Sequence, residues 1–364
     1  DGAITTAGGH EFIYGSYAVF GGETEAYVAY SGNMYLLDLT LPGFPAWSVT
    51  PVYFNDIIVL DDMAYLVNED GFEIWDVSNV QSPAFIASAD VPLAKELYLD
   101  GNYAYISADR NGFYAVDISD PAMPEIVSHV PGYSWAAAAI VNNQIAYVAH
   151  SADGLLAIDV SDPYDGGPEL ISAFPTNGET RDIQVKNNLA YIADWTGGLR
   201  IVDYSDPASP AEVTSIPMQA WRVALGDGSI LFVSEANPNN PDTLKIYDVS
   251  DAANPEFLSQ FTFDESVREI KYQAGFLYVA QYDSGLWVLD VSDPGNPEKA
   301  AEVDLPSVLD VWVQGDVAYA TSTDWDGGFV TVDISEPENP QLLQIYNPSG
   351  WFHPFYVSVS GSYA

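Results

Sequence analysis

Residues Leu189 to Pro210 read LAYIADWTGGLRIVDYSDPASP, and this stretch decides the fold because the chain repeats it eight times. Ala190-Tyr191-Ile192-Ala193 is a small, aromatic, apolar run. A glycine turn follows it, then a second apolar run that ends in Asp203-Tyr204-Ser205 and an Asp-Pro-x-x-Pro turn. The closing aspartate recurs at Asp38, Asp76, Asp117, Asp159, Asp203, Asp248, Asp290 and Asp333, at intervals of 38, 41, 42, 44, 45, 42 and 43 residues. Self-similarity with a period near 42 marks a propeller or solenoid array, in which each unit buries its apolar faces only against its neighbours.

Each unit reads as four strands. Strand A is a short apolar run such as Asp182-Ile183-Gln184-Val185, and the turn after it is Lys186-Asn187-Asn188, or Asp100-Gly101-Asn102 in another copy. These residues tolerate the positive φ of tight hairpins. Strand B is the Ala-Tyr-Val-Ala run, and strand C is typified by Leu286-Trp287-Val288-Leu289-Asp290. Strand C is nearly continuously apolar, as expected of a sheet packed on both faces. Strand D, for example Glu169-Leu170-Ile171-Ser172, is shorter and less apolar. Helical periodicity is absent, and the prolines fall between strands, where they break no ladder.

The runs LRIVDYSDPASP, LWVLDVSDPGNP and FYAVDISDPAMP resemble the LVIVD-repeat family. The resemblance implies a β-propeller of the kind found on secreted or surface proteins of bacteria and archaea. It implies no reaction, cofactor or catalytic residue. The expected fold is therefore all-β: an eight-bladed propeller of four-stranded antiparallel blades, the alternative being seven blades plus an extra repeat. Residues 1–15 match the repeat poorly and are expected to form an arm, with 16–364 as one propeller domain. Blade six departs from the pattern, with Leu231-Phe232 for Ala-Tyr and a longer loop over Glu235–Asp242.

The formal charge is −42, from 52 Asp and Glu against only 10 Lys and Arg. Such a surface repels nucleic acid and anionic lipid, so no nucleic-acid partner is expected. No apolar run approaches the roughly 18 residues that span a bilayer, so no membrane insertion is expected. There is no cysteine, hence no disulfide or thiolate metal site. The chain starts at Asp1 without a Met, so a removed leader or a trimmed sequence is expected, and its Cys-free, Lys-poor, Tyr-rich, acidic composition reads as that of an exported protein, extracellular or at the cell surface.

The repeated strand-end aspartate, seen once, looks catalytic. Eight equivalent copies before Ser read instead as turn chemistry, a carboxylate accepting nearby backbone N–H groups. The B–C turns carry acids and glycine, and a plain hairpin is the favoured reading. If one of them holds Ca²⁺, Asp324 and Asp326 of Asp-Trp-Asp-Gly are the ligands, though the full EF-hand pattern is absent. No other cofactor is expected, and the four histidines show no zinc spacing.

One column stands out. Counting back nine residues from the start of strand B gives Asn55, Lys95, Ala137, Arg181, Arg222, Arg268 and Leu309, which takes in four of the ten basic residues. The next column holds Asp56, Glu96, Ala138, Asp182, Val223, Glu269 and Asp310. Lys95, Arg181, Arg222, Arg268, Asp182, Glu269 and Asp310 are expected to ring one mouth of the axial channel, as inter-blade ion pairs or as a ligand site. The favoured function is a non-enzymatic extracellular module for protein–protein interaction or self-assembly, its partners being proteins, including copies of itself. Thr5, Phe12, Ile13 and Tyr14 of the arm are the candidates for reaching a neighbour. The alternative is an enzyme or a binder of anions or carbohydrates at the channel mouth, with Trp195, Trp221, Trp325 and Trp351 as sugar platforms.

Overall fold

The computed structural model of the protein describes residues 19–21, 25–30, 33–38, 46–49, 55–68, 70–79, 82–131, 136–142, 144–150, 154–161, 169–237, 241–323, 328–347 and 358–359. The chain divides into two compact units. The first comprises Asp1–Thr176, Pro207–Ser209 and Ser360–Ala364, the second Asn177–Asp206 and Pro210–Val359. Among the described residues all regular structure is β, apart from a single 3₁₀ turn at Asp109–Asn111. No helix among the described residues is long and apolar enough to cross a membrane.

The fold is that of a β-propeller, with seven blades that are four-stranded antiparallel sheets in the order A-B-C-D. We number them two to eight after the repeats they contain. Blade five is typical: Asp182–Lys186, Leu189–Ala193, Leu199–Asp203 and Ala211–Ile216. The expected count of eight four-stranded blades is thus corrected to the alternative, seven blades and an extra repeat. The extra repeat, which contains Asp38, lies outside these seven, in a five-stranded sheet that takes in Val19–Gly21, Glu25–Tyr30, Asn33–Asp38 and Ala46–Val49 in that order. Its strand Val19–Gly21 has only three residues and runs into Gly21-Gly22, a poor strand sequence.

The repeat residues account for each blade. Asn187 and Asn188 take φ values of 53° and 63° in the two-residue turn between Lys186 and Leu189, the geometry whose twist matches the flanking strands. Strand B buries both faces: Ala190 and Ile192 are fully buried and so, nearly, is Tyr191. At the start of strand C, Gly198 has φ +93°, and a Cβ there would lie 2.4 Å from the Ile216 carbonyl of strand D. Only glycine permits so close an approach.

Within the second unit, strands A of successive blades pack side by side. They are also stitched at their ends. Lys186 Nζ donates to the Gly228 carbonyl (2.8 Å), and Gln273 Nε2 donates to that of Gly315 (2.8 Å).

The strand-end aspartates do what turn chemistry predicts. Asp76, Asp117, Asp159, Asp203, Asp248, Asp290 and Asp333 each accept the backbone N–H of the residue two positions on, at 2.7–2.9 Å. At the Asn68 turn, Asn68 Oδ1 likewise accepts the N–H groups of Asp70 and Gly71, so this acidic B–C turn is a plain hairpin.

Candidate functional site

The candidate site grows from the start of strand A in blades five, six and seven, all in the second unit. Strand pairing aligns Asp182 with Ala193, Arg222 with Ser234 and Glu269 with Ala280, the same point on strand B each time. Arg222 therefore belongs to the carboxylate column, and Trp221 occupies the position of Arg181 and Arg268. The expected columns are out of step by one residue in blade six. The cause is its A–B hairpin, where Gly226 and Ile230 close a three-residue turn over Asp227-Gly228-Ser229. Blades five and seven turn in two residues, so a fixed count back from strand B lands one residue late in blade six.

The corrected column is an inter-blade device. Asp182 Oδ1 accepts the N–H of Ile183 (2.8 Å), and its Oδ2 accepts that of Val223 in the next blade (2.9 Å). Asp56 in the first unit repeats this with Ile57 and Leu97, both at 2.9 Å. Arg222 Nε pairs with Glu269 Oε2 at 2.9 Å, both side chains buried, and Lys271 Nζ lies 3.2 Å from Glu269 Oε1.

Burial, then the charge of Glu269, pushes Asp182 up to about 6, against the pull of Arg222 and Lys271. Burial would also raise Glu269, but Lys271 and Arg222 outweigh it and hold the group below the ordinary range. Lys271 is held high because Glu269, Asp310 and Asp182 outweigh its own burial. Arg222 and Glu269 form a buried ion pair with Lys271 as a second cation, whereas Asp182 accepts backbone N–H groups of its own and the next blade and Asp310 Oδ1 accepts the Val311 N–H (2.8 Å).

The preceding column behaves differently. The Arg181 guanidinium lies over the Trp221 ring (5.0 Å) and the Trp195 ring (5.7 Å), and Arg222 lies 5.1 Å from Trp221. Trp195 and Trp221 meet edge to face at 5.2 Å. In blade seven the arrangement recurs, with Arg268 4.8 Å from the Tyr282 ring. Tyr282 follows strand B at the offset of Trp195, as Gln281 follows it at the offset of Asp194.

Trp195 is held firmly. Its φ is +44°, a conformation that costs a bulky residue on the order of 1–3 kcal/mol. Its backbone exchanges two hydrogen bonds with Ala220 of blade six (3.1 and 3.2 Å). Beneath it, the fully buried Asp194 takes the Arg200 Nε–H (2.8 Å) and the Gly178 N–H (3.0 Å). Arg200 also pairs with Glu212, and these hydrogen bonds overcome its burial and raise its pKa. Sequence reasoning missed Asp194, Arg200, Lys271 and Gln281. None stands out in a one-column count, although the shared offset behind strand B could have linked Trp195 to Tyr282.

The remaining expectations fall out as follows. Lys95 lies in the first unit just before strand A of blade three, its N–H on the Ser107 carbonyl (2.8 Å). Arg181 pairs with the exposed Glu179. Thr5, Phe12, Ile13, Tyr14, Asp324, Asp326, Trp325 and Trp351 lie outside the described residues. Among the described residues no group of three or more His, Cys, Asp or Glu is placed to hold a metal ion.

The blades and their strand-end turns are those of a repeat-built β-propeller. The LVIVD repeat matches residues 53–91, 93–131, 139–165, 177–217, 266–304 and 307–348, more than half of the chain, and the protein belongs to the LVIVD-repeat family. The unmatched span 218–265 is the divergent blade six. No curated protein matches the chain. Among solved structures it is similar to Chaetomium thermophilum Sqt1, bound to the N-terminus of ribosomal protein L10, with 12% identity over 84% of this chain and 93% of that one, TM-score 0.66. It is similar also to the computationally designed Ika8 protein, 14% identical over 84% and 89%, TM-score 0.63. Apo AztD from Citrobacter koseri is 12% identical over 92% and 96%, TM-score 0.62. At these identities the likeness is one of fold.

Proposed function

We propose that the protein is a non-enzymatic extracellular module for binding and assembly, with proteins, including copies of itself, as its partners. One observation carries this reading. Strand D is an edge strand in every blade, and its second residue is an exposed large apolar side chain in five of them: Phe85, Ile126, Leu170, Phe257 and Leu342. Exposed apolar residues on unpaired edges are a template for association. Sqt1, a protein of the same fold, is solved with a protein segment bound. The strand-end acids, by contrast, are engaged by backbone N–H groups and offer little to a substrate. The support for an extracellular location is composition, namely −42 charge and no cysteine.

Light scattering of the purified chain tests the reading, in calcium or high salt to screen the carboxylates. Mass should rise with concentration, and Phe85→Glu with Phe257→Glu should return it to the monomer without lowering the thermal midpoint. A wild-type chain that stays monomeric and captures no protein partner would defeat the assembly reading.

A further inference from the structure

Register sets like charge against like charge at the start of strand D. Asp117 faces Glu125 in blade three, Asp159 faces Glu169 in blade four and Asp248 faces Glu256 in blade six. Directly opposed acids on neighbouring strands repel, and Glu125, Glu169 and Glu256 are all exposed. The N–H groups that the aspartates accept cap them without neutralising their charge. The next register pair has the opposite character. Ile126, Leu170 and Phe257 face Val116, Ile158 and Tyr247, and they stay 36%, 44% and 50% exposed.

Successive residues of a strand point to opposite faces, so each of these edges presents a pair of acids on one face and an apolar side chain on the other. An extended segment added along strand D meets both when it alternates a cation with an apolar residue. A second copy of this chain is a poor source of such cations. Of its ten Lys and Arg, Arg181, Arg200, Arg222, Lys245, Lys271 and Lys299 are each paired with a carboxylate of their own chain. Pairing one copy's D edge with another's would bring acid against acid. Each of the three strands also bulges at its third residue, Val127, Ile171 or Leu258, a device that blunts edge-to-edge pairing between copies.

We infer that the strand D edges of blades three, four and six bind a cationic segment of another protein, in which Lys or Arg alternates with apolar residues. This rests on the reading of strand D as the association surface and names the partner that surface takes.

Calorimetric titration of the full chain at low salt tests it, with a peptide of alternating Lys and Val as long as the six-residue strands D of blades three and four. Saturable binding is expected, and a Lys-Gly peptide of the same charge should bind at least about tenfold more weakly. Glu125→Gln, Glu169→Gln and Glu256→Gln together remove three of 52 acids, too few to alter the general attraction of a −42 chain for a polycation. The combined variant should nonetheless weaken the Lys-Val peptide about tenfold, at an equal or higher thermal midpoint. Asp264→Asn, Glu265→Gln and Asp283→Asn, at exposed acids away from strand D, remove the same charge and should leave the affinity unchanged. No saturable binding, equal affinity for the two peptides, or equal loss in the two triple variants would each overturn the proposal. Light scattering separates the two readings. A chain that ignores the Lys-Val peptide but gains mass with concentration in calcium overturns the cationic partner and leaves association through strand D standing. One that ignores the peptide and stays monomeric defeats both.

Discussion

Asp290, at the end of strand C in blade seven, sits in the open and accepts the Ser292 N–H at 2.9 Å. The Ser292 side chain and that N–H hold it below the ordinary carboxylate range. Asp182, at the start of strand A in blade five, accepts two N–H groups as well, one from the next blade, yet burial pushes it up to about 6. The two sites spend the same functional group differently. The first is satisfied by residues two positions away in its own turn, so every repeat can carry it unchanged. The second depends on what neighbouring blades supply, and its column accordingly varies through Asp56, Ala138, Asp182, Arg222, Glu269 and Asp310.

The largest effect is expected where a neighbour's contribution is deleted. Arg222→Ala leaves Glu269 to Lys271 alone and strips the guanidinium from beside Asp182, in a setting where Arg222 and Glu269 are both buried. Breaking a buried pair typically costs about 3–5 kcal/mol. Urea denaturation should show that loss, and a change below about 1 kcal/mol would mean that the pair is not structural.

Next comes Asp56, which burial pushes up to about 7 against the pull of the Leu97 and Ile57 N–H groups. Its folded pKa lies above its unfolded value near 3.8. Its contribution is thus fully present below the unfolded value and is lost as pH rises through about 7. Asp56→Asn removes that titration. The stability gap between wild type and variant should narrow between pH 4 and pH 8 by on the order of a few kcal/mol. A gap that stays constant across that range would show that Asp56 is not proton-linked to folding.

Glu269→Gln sharpens the comparison by a smaller amount. Its negative charge is the second cause, after burial, of the raised Asp182 value. Removing it should bring Asp182 down, readable in a carboxyl carbon NMR titration. An unmoved Asp182 would assign the whole shift to burial.

The same contrast explains what could be read from the sequence. Features satisfied within one repeat were legible: the Ala-Tyr of strand B, the Asn187-Asn188 turn and the Asp-x-Ser cap each follow from residues within a few positions. The candidate site depends on register between blades, and there the reading slipped. One extra turn residue among Asp227, Gly228 and Ser229 moved Arg222 from the cation column to the acid column and hid Trp221 as the partner of Arg181. The positive φ of Trp195 leaves no trace in the sequence, and the Ala220 backbone that bonds to Trp195 belongs to another repeat. The blade count differs for a related reason: one strand-end aspartate per repeat counts eight motifs, but the sheet that holds Asp38 has a fifth strand, which no count of aspartates reveals.

The smallest effect belongs to the strand-end aspartates, and it tests whether they act as acceptors or as charges. Asp290→Ala removes the partner of the Ser292 N–H in a solvent-exposed turn, so water takes over the donor and the loss at pH 7 should stay below about 1 kcal/mol. Asp290→Asn keeps an Oδ1 at the same place and should recover most of that loss. The pH dependence runs opposite to that of Asp56. A lowered folded pKa gives stability that is present above the unfolded value near 3.8 and is lost as pH falls through the folded one. The gap between wild type and Asp290→Ala should therefore hold from pH 8 to pH 5 and shrink only below pH 4. If Asp290→Asn is as damaging as Asp290→Ala, the charge matters more than the acceptor, and the repeated aspartates need an electrostatic explanation in place of a turn-capping one.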